Sequence, residues 1–269
     1  MSLPPEKLLA QAQEGDINAF HQLFRDFQPQ LKSYLYRLST DRTDADDLTH
    51  DTFVKAFDKI SQFSGNSSLK TWVFSIGTNL AMDALRRRKP WPVDAQDQSR
   101  QASGQSPEVQ QTYRHINQYS PDGTYEIREH IDFCFTCIAK TLPIEQQVSL
   151  LLKEVYKFRL KEITTILATT DGRVKHLLHA ARQTMTDIFD ARCSLVNQDG
   201  TCYQCTELNG FFNAKQQRQT RLLEIAPVQS GPHDTRNTLF ELRTLLVSAS
   251  GAELHDDSNK SPCYSIAGA

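Results

Sequence analysis

Three kinds of side chain in this sequence are spaced so that they could do chemistry together. Asp44, Asp47 and Asp51 recur at i, i+3 and i+7, which draws a negative stripe along one side of a helix. Asp is also favoured in a first helical turn, here behind a capping Thr43, which accounts for Asp44 and Asp46 but not for Asp51. Arg86-Arg87-Arg88-Lys89 concentrates positive charge just before Pro90, a run suited to phosphates and equally to the negative end of a helix dipole. The third kind is sulfur. Cys134-x2-Cys137 and Cys202-x2-Cys205 have the spacing of a four-thiolate zinc site, with Cys193 as a spare or a replacement. The bland alternative for Cys134 and Cys137, set among Phe133, Phe135 and Ile138, is a pair of buried core cysteines. Dithiol exchange would need a strand-helix-strand setting, and the sequence has no strand pattern.

The elements that must position these groups read as helices. Leu8, Leu9 and Ala12, then Phe20, Leu23, Phe24 and Phe27, then Leu31, Tyr34, Leu35 and Leu38 recur at helical spacing. Behind the acidic stripe run Ala45, Leu48, Phe53, Ala56, Phe57 and Ile60. The basic run ends a helix whose apolar stripe is Leu69, Trp72, Val73, Ile76, Leu80 and Ala84. Between Pro90 and Tyr125 the composition turns to Gln, Ser, Asp, Pro and Gly, which predicts a flexible linker over 91–125. Periodicity resumes at Glu126. Leu142-Pro143 opens a run in which Val148, Leu151, Leu152 and Val155 share a face, and a short helix carries Ile163, Ile166 and Leu167. Ala168-Thr169-Thr170-Asp171-Gly172 then predicts a glycine turn with Asp171 as cap, followed by a helix through Val174, Leu177, Leu178, Ala181, Met185 and Ile188. Arg173, Lys175, His176 and His179 face outward on it, as a helix-turn-helix presents side chains to the major groove.

The acidic helix over 44–57, the Ser67-Ser68-Leu69-Lys70-Thr71-Trp72 start and the Asn79-to-Arg88 end resemble the core domain of bacterial RNA polymerase sigma factors of the extracytoplasmic-function (ECF) group. The likeness covers about residues 5–90 and again about 126–192, where Leu142-Pro143, Leu160-Lys161-Glu162-Ile163 and Gly172-Arg173-Val174-Lys175 match in place. The resemblance implies that Asp44, Asp47 and Asp51, with Leu48 and Phe53 as apolar neighbours, bind the polymerase clamp helices. It implies that Phe63 on the preceding loop, Lys70, Trp72, Asn79 and Arg86, Arg87 and Arg88 engage the melted promoter strand. Asn79 would receive a flipped base, since its amide offers both donor and acceptor to a base edge. Packing is the competing role for Trp72, which sits on the apolar stripe. Arg173, Lys175, His176 and His179 would read the distal promoter element. The sequence departs from the family where many relatives carry arginine: it has Leu177, and His179 and Ala180 fill further basic positions. Its preferred promoter therefore cannot be copied from other members, because each good base contact discriminates by about 1–3 kcal/mol.

Composition fits this frame. The 269 residues are 39% hydrophobic and 23% charged with a net charge of −2, so DNA affinity must come from local basic patches. No stretch approaches the roughly 18 apolar residues that span a bilayer, and Met1-Ser2-Leu3-Pro4-Pro5-Glu6 lacks the pattern of a signal peptide, which predicts a cytoplasmic protein without a membrane partner. There its cysteines stay reduced, which favours metal ligands over disulfides. The expectation is an all-α chain: two helical domains, 5–90 and 126–192, joined by a flexible linker, the second a helix-turn-helix. A cysteine knuckle over 193–215 holds a structural zinc, and a weakly structured tail over 216–269 has one amphipathic helix through Leu239, Leu242, Leu245 and Leu246. The expected function is that of a non-enzymatic initiation factor with RNA polymerase core, promoter DNA and a regulatory, anti-sigma-like protein as partners. The alternative is a stand-alone helix-turn-helix regulator with zinc or redox sensing.

Overall fold

A computed structural model of the chain describes residues 3–86, 88–92, 135 and 138–192. Every regular element among them is helical. Four helices come first: α1 (Pro5–Gln13), α2 (Ile17–Arg25), α3 (Gln28–Ser39) and α4 (Arg42–Lys59), the last tightening into a 3₁₀ turn at Ile60–Gln62. After an irregular loop comes α5 (Leu69–Leu85). Later in the chain α6 (Ile144–Leu150) widens into a π-helical turn (Leu151–Val155), followed by α7 (Leu160–Ile166) and α8 (Asp171–Arg192). The described residues up to Lys89 and those of Pro143–Ala181 gather into one compact unit; the described residues among 90–142 and 182–192 belong to another. In that second unit the Trp91 N–H donates to the Lys140 carbonyl at 2.9 Å.

Local chemistry sets the helix boundaries. Asp16 caps α2 by accepting from the amides of Asn18 and Ala19 at 2.8 and 3.2 Å. Each such cap satisfies amides with no partner inside the helix, and its loss typically costs about 1 kcal/mol. At the end of α3 the chain reverses through Thr40, whose φ of 58° is left-handed. The cap of α4 is Asp41, whose carboxylate accepts from the Asp44 amide at 2.9 Å; Thr43 lies inside the helix and is exposed, which corrects the capping role expected of it. Ser68 caps α5 by accepting from the Thr71 amide at 3.1 Å.

The first-unit core is aromatic and follows the predicted periodicity of α2 and α3. Phe20, Phe24, Leu31, Tyr34, Leu35 and Leu38 are fully buried, each contributing about 1.5–3 kcal/mol by leaving water. Helix α5 differs from expectation. Its buried residues are Thr71, Val73, Phe74, Gly77, Thr78, Ala81, Met82 and Leu85. Leu69, Trp72, Ile76 and Leu80 of the predicted stripe are only half-buried, and Ala84 is exposed. The reason is close approach. A Cβ at Gly77 would sit 3.0 Å from the Thr52 hydroxyl on α4 and 3.2 Å from a Leu31 methyl on α3. Small and hydroxylated residues therefore face inward, and the larger apolar side chains turn towards the surface.

Between α7 and α8 the turn is built without glycine. Ala168 takes the left-handed conformation with φ of 47°. Its N–H donates to the Thr165 carbonyl at 3.3 Å, while the Thr169 N–H reaches the Thr164 carbonyl at 3.1 Å, the paired bonds of a Schellman ending. Thr170 then caps α8, its hydroxyl accepting from the Arg173 amide at 3.3 Å. Asp171 and Gly172 are already helical, so neither the predicted glycine turn nor the predicted Asp cap forms.

Candidate functional site

Helix α4 carries the acidic residues. Asp47 and Asp51 are exposed, together with Asp46, His50, Val54, Lys55 and Asp58. Asp44 is half-buried and forms an ion pair with Arg88 at 2.7 Å, so the acidic stripe and the basic run meet at one end. Asp46 pairs with Lys32 of α3 at 2.5 Å. Leu48, expected as an apolar contact for a partner, is 8% exposed and faces the core. Phe53 is half-buried, with its ring 5.1 Å from that of Phe24, 5.2 Å from that of Phe20 and 6.0 Å from that of His21. The apolar side chain most available on this helix is Val54, at 41% exposure. Helical periodicity alone missed it, because Val54 is an isolated apolar residue among polar ones.

The loop before α5 and the helix itself hold the second group. Phe63 is buried at the end of the 3₁₀ turn. Its carbonyl accepts from the Gln13 amide at 2.9 Å, and its ring lies 5.2 Å from that of half-buried Trp72. Trp72 and Asn79, seven residues apart, share a face of α5, and Asn79 is exposed. Arg86 is exposed and pairs with Asp83 at 3.2 Å; Arg88 is the partner of Asp44. Arg87 lies outside the described residues.

Lys70 is covered in an unexpected way. Its ammonium lies 5.8 Å from the ring centre of Phe74 and 5.0 Å from that of Phe158. Burial pushes its pKa below the ordinary lysine value, and the nearby Glu162 carboxylate opposes that shift. Phe158 and Tyr156 are buried in the same unit, the Phe158 ring 4.9 Å from Phe74 and the Tyr156 ring 5.5 Å from Tyr34. The Tyr156 hydroxyl meets the Ser33 hydroxyl and the Arg37 guanidinium, each at 3.0 Å, and Arg37 also donates to Ser33 at 2.5 Å. Tyr34 bonds Thr78 at 3.0 Å, and complete burial raises its phenol well above the ordinary tyrosine range. No spacing in the sequence signals this network, since Tyr156 is 123 residues from Ser33.

On α8, Arg173, Lys175, His176 and His179 are all exposed. Leu177, at a place where the resemblance leads one to expect arginine, is 5% exposed and belongs to the core, so its loss of charge removes no outward contact. Cys134, Cys137, Cys193, Cys202 and Cys205 lie outside the described residues, as does the predicted helix of the tail.

The family model for Sigma-70 region 2 matches residues 23–90, from the end of α2 through the basic run. Among curated proteins, the ECF RNA polymerase sigma factor SigG of Mycobacterium tuberculosis is 28% identical over 188 residues, covering 66% of this chain and 50% of its own length. SigW of Bacillus subtilis, also an ECF RNA polymerase sigma factor, is 26% identical over 186 residues, covering 69% of this chain and 96% of its own length. The chain is similar to RNA polymerase sigma factors of the ECF group. The chain spans about half the length of the SigG relative that it matches. A solved structure of CnrH in complex with the cytosolic domain of CnrY aligns over 68% of the chain at 20% identity, with a TM-score of 0.49. Among the described residues, no helix is long and apolar enough to cross a membrane.

Proposed function

We propose that this chain is a sigma factor that binds RNA polymerase core through the exposed face of α4, directs it to specific promoters and helps to melt them. Asp47 and Asp51 face the partner there, with Asp44 at the stripe's end and Val54 as the apolar contact. Charges at such a rim act mainly on encounter rate and specificity, while a small apolar contact slows dissociation. Asn79 and Trp72 on α5 take an unstacked base and its neighbour, for which stacking on an aromatic ring is worth about 1–3 kcal/mol per base. Arg86 and Arg88 hold phosphates, and Arg173, Lys175, His176 and His179 on α8 read the distal element as the second member of a helix-turn-helix. The polymerase performs the chemistry. The four thiols of Cys134, Cys137, Cys202 and Cys205 suit a tetrahedral zinc, which would tie together the flanks of the distal-element reader.

The observation that carries this reading is the Sigma-70 region 2 match over residues 23–90, whose helices keep Asp47, Asp51 and Asn79 exposed. Runoff transcription with purified core enzyme and a promoter library is the direct test. RNA chains are expected to start at a defined subset of sites. Asp47→Lys combined with Asp51→Lys should weaken core binding by about tenfold, near 1.4 kcal/mol, without lowering thermal stability. Undiminished core binding by that variant, or no defined start with the wild type, would defeat the reading.

A further inference from the structure

The loop that leads into α5 is held from α1, a helix to which the proposed function gives no part. At the end of α1 the Gln13 side-chain amide donates to the Phe63 carbonyl at 2.9 Å and, more loosely, to the Ile60 carbonyl at 3.4 Å. Both partners are acceptors, so the nitrogen end of the amide must face them, and each takes one of its two hydrogens. The Ile60 carbonyl also accepts from the Phe63 N–H at 3.0 Å, which closes the 3₁₀ turn. Gln13 is half-buried, Ile60 and Phe63 are buried, and the Phe63 ring lies against Trp72. These contacts fix where the loop starts, and the Ser68 cap of α5 fixes where it ends. In between, Ser64, Gly65 and Asn66 are exposed, with Gly65 left-handed at φ of 75° and the Asn66 amide donating to the Ser64 hydroxyl at 2.9 Å. Water competes for that exposed bond, so the path of the loop is set at its two ends.

We propose that Gln13 is a positioning residue for the promoter strand: by holding the Ile60 and Phe63 carbonyls it aims the Ser64–Ser67 loop at an unpaired base next to Trp72 and Asn79. The proposal rests on the reading of α5 as the strand-facing helix. Phe63, buried against Trp72, has no free ring face for a base and serves as the packed foot of the loop. Asn66 is the exposed side chain beyond that foot, and its amide offers both a donor and an acceptor to a base edge. Hydrogen bonds weaken steeply with distance and angle, so a shift of about 1 Å at the foot is enough to spoil such contacts.

The test uses the full-length protein bound to core enzyme and a promoter found by the runoff selection. The probe is a fluorescein-labelled oligonucleotide carrying the unpaired strand of that promoter's melted element, alongside copies in which each base in turn is replaced by an abasic site. In the wild type, loss of the base that the loop meets should weaken binding by about tenfold, near 1.4 kcal/mol. In Gln13→Glu, which turns an acceptor towards both carbonyls, and in Gln13→Met, which keeps the side chain's length without its donors, the same abasic site should cost less than about threefold. Both variants should bind core as tightly as the wild type. A penalty that stays near its wild-type size in both variants overturns the proposal, even where every oligonucleotide binds more weakly, because a merely structural role lowers all affinities alike. The penalty is a ratio taken within one variant, so it stands whatever fraction of that variant folds. A wild type indifferent to every abasic site overturns the proposal too. Either result alongside defined runoff starts leaves the proposed function in place, whereas the absence of any defined start defeats that function and the proposal with it.

Discussion

Ala168, like Thr40 and Lys157 among the described residues, has a left-handed backbone without being glycine. An L-residue in the left-handed region pays roughly 1–2 kcal/mol, and the Schellman bonds of α7 hold it there. Glycine would escape that penalty while losing about 0.5–1 kcal/mol of unfolded-chain entropy. Ala168 is exposed, so no packing is lost on substitution. Ala168→Gly should raise stability to urea by about 0.5–1 kcal/mol with an unchanged m-value, a gain. A loss of stability would mean that the turn is not left-handed at this position. Gly172, the glycine that looked responsible for this turn, is helical with nothing near its absent side chain. Composition points to glycine for a reversed turn, but hydrogen bonds to the preceding carbonyls decide which residue reverses.

At the scale of elements, the four amino-terminal helices and their buried faces were legible because each repeats large apolar residues on one side. Leu31, Tyr34, Leu35 and Leu38 needed nothing but spacing to be placed inside. Helix α5 was readable as a helix but not in its rotation. Hydrophobic spacing weights Trp72, Ile76 and Leu80, whereas the approach of α3 and α4 selects for the smallest side chains at Gly77, Thr78 and Ala81. The start of α4 failed for a subtler reason, since Asp41, Thr43 and Asp44 are all residue types that cap helices. The structure distinguishes them by one bond, Asp41 to the Asp44 amide. Asp41→Ala is therefore expected to cost about 1 kcal/mol in urea unfolding, while Thr43→Ala stays within about 0.5 kcal/mol of wild type. Equal costs for the two would return the capping role to Thr43.

For the molecule as a whole, the sequence pattern separates 5–90 from 126–192 by a polar stretch, yet in the structure residues of Pro143–Ala181 share a compact unit with those up to Lys89. What joins them is chemistry between residues far apart in sequence, which no local pattern can announce. Buried Tyr156 is the anchor: its ring packs edge-on against Tyr34 and its hydroxyl meets Ser33 and Arg37. Removing such an aromatic side chain leaves a cavity and strips the polar groups of a partner, which together cost about 3–5 kcal/mol. If the unit is cooperative, that cost is felt on both sides of it. Hydrogen exchange in urea should show the amides of α3 and α7 losing protection at the same midpoint in the wild type, and Tyr156→Ala should lower both midpoints together or release α7 first. A variant in which α3 and α7 both keep their wild-type midpoints would show that the α3 contact to Tyr156 contributes nothing to the unit.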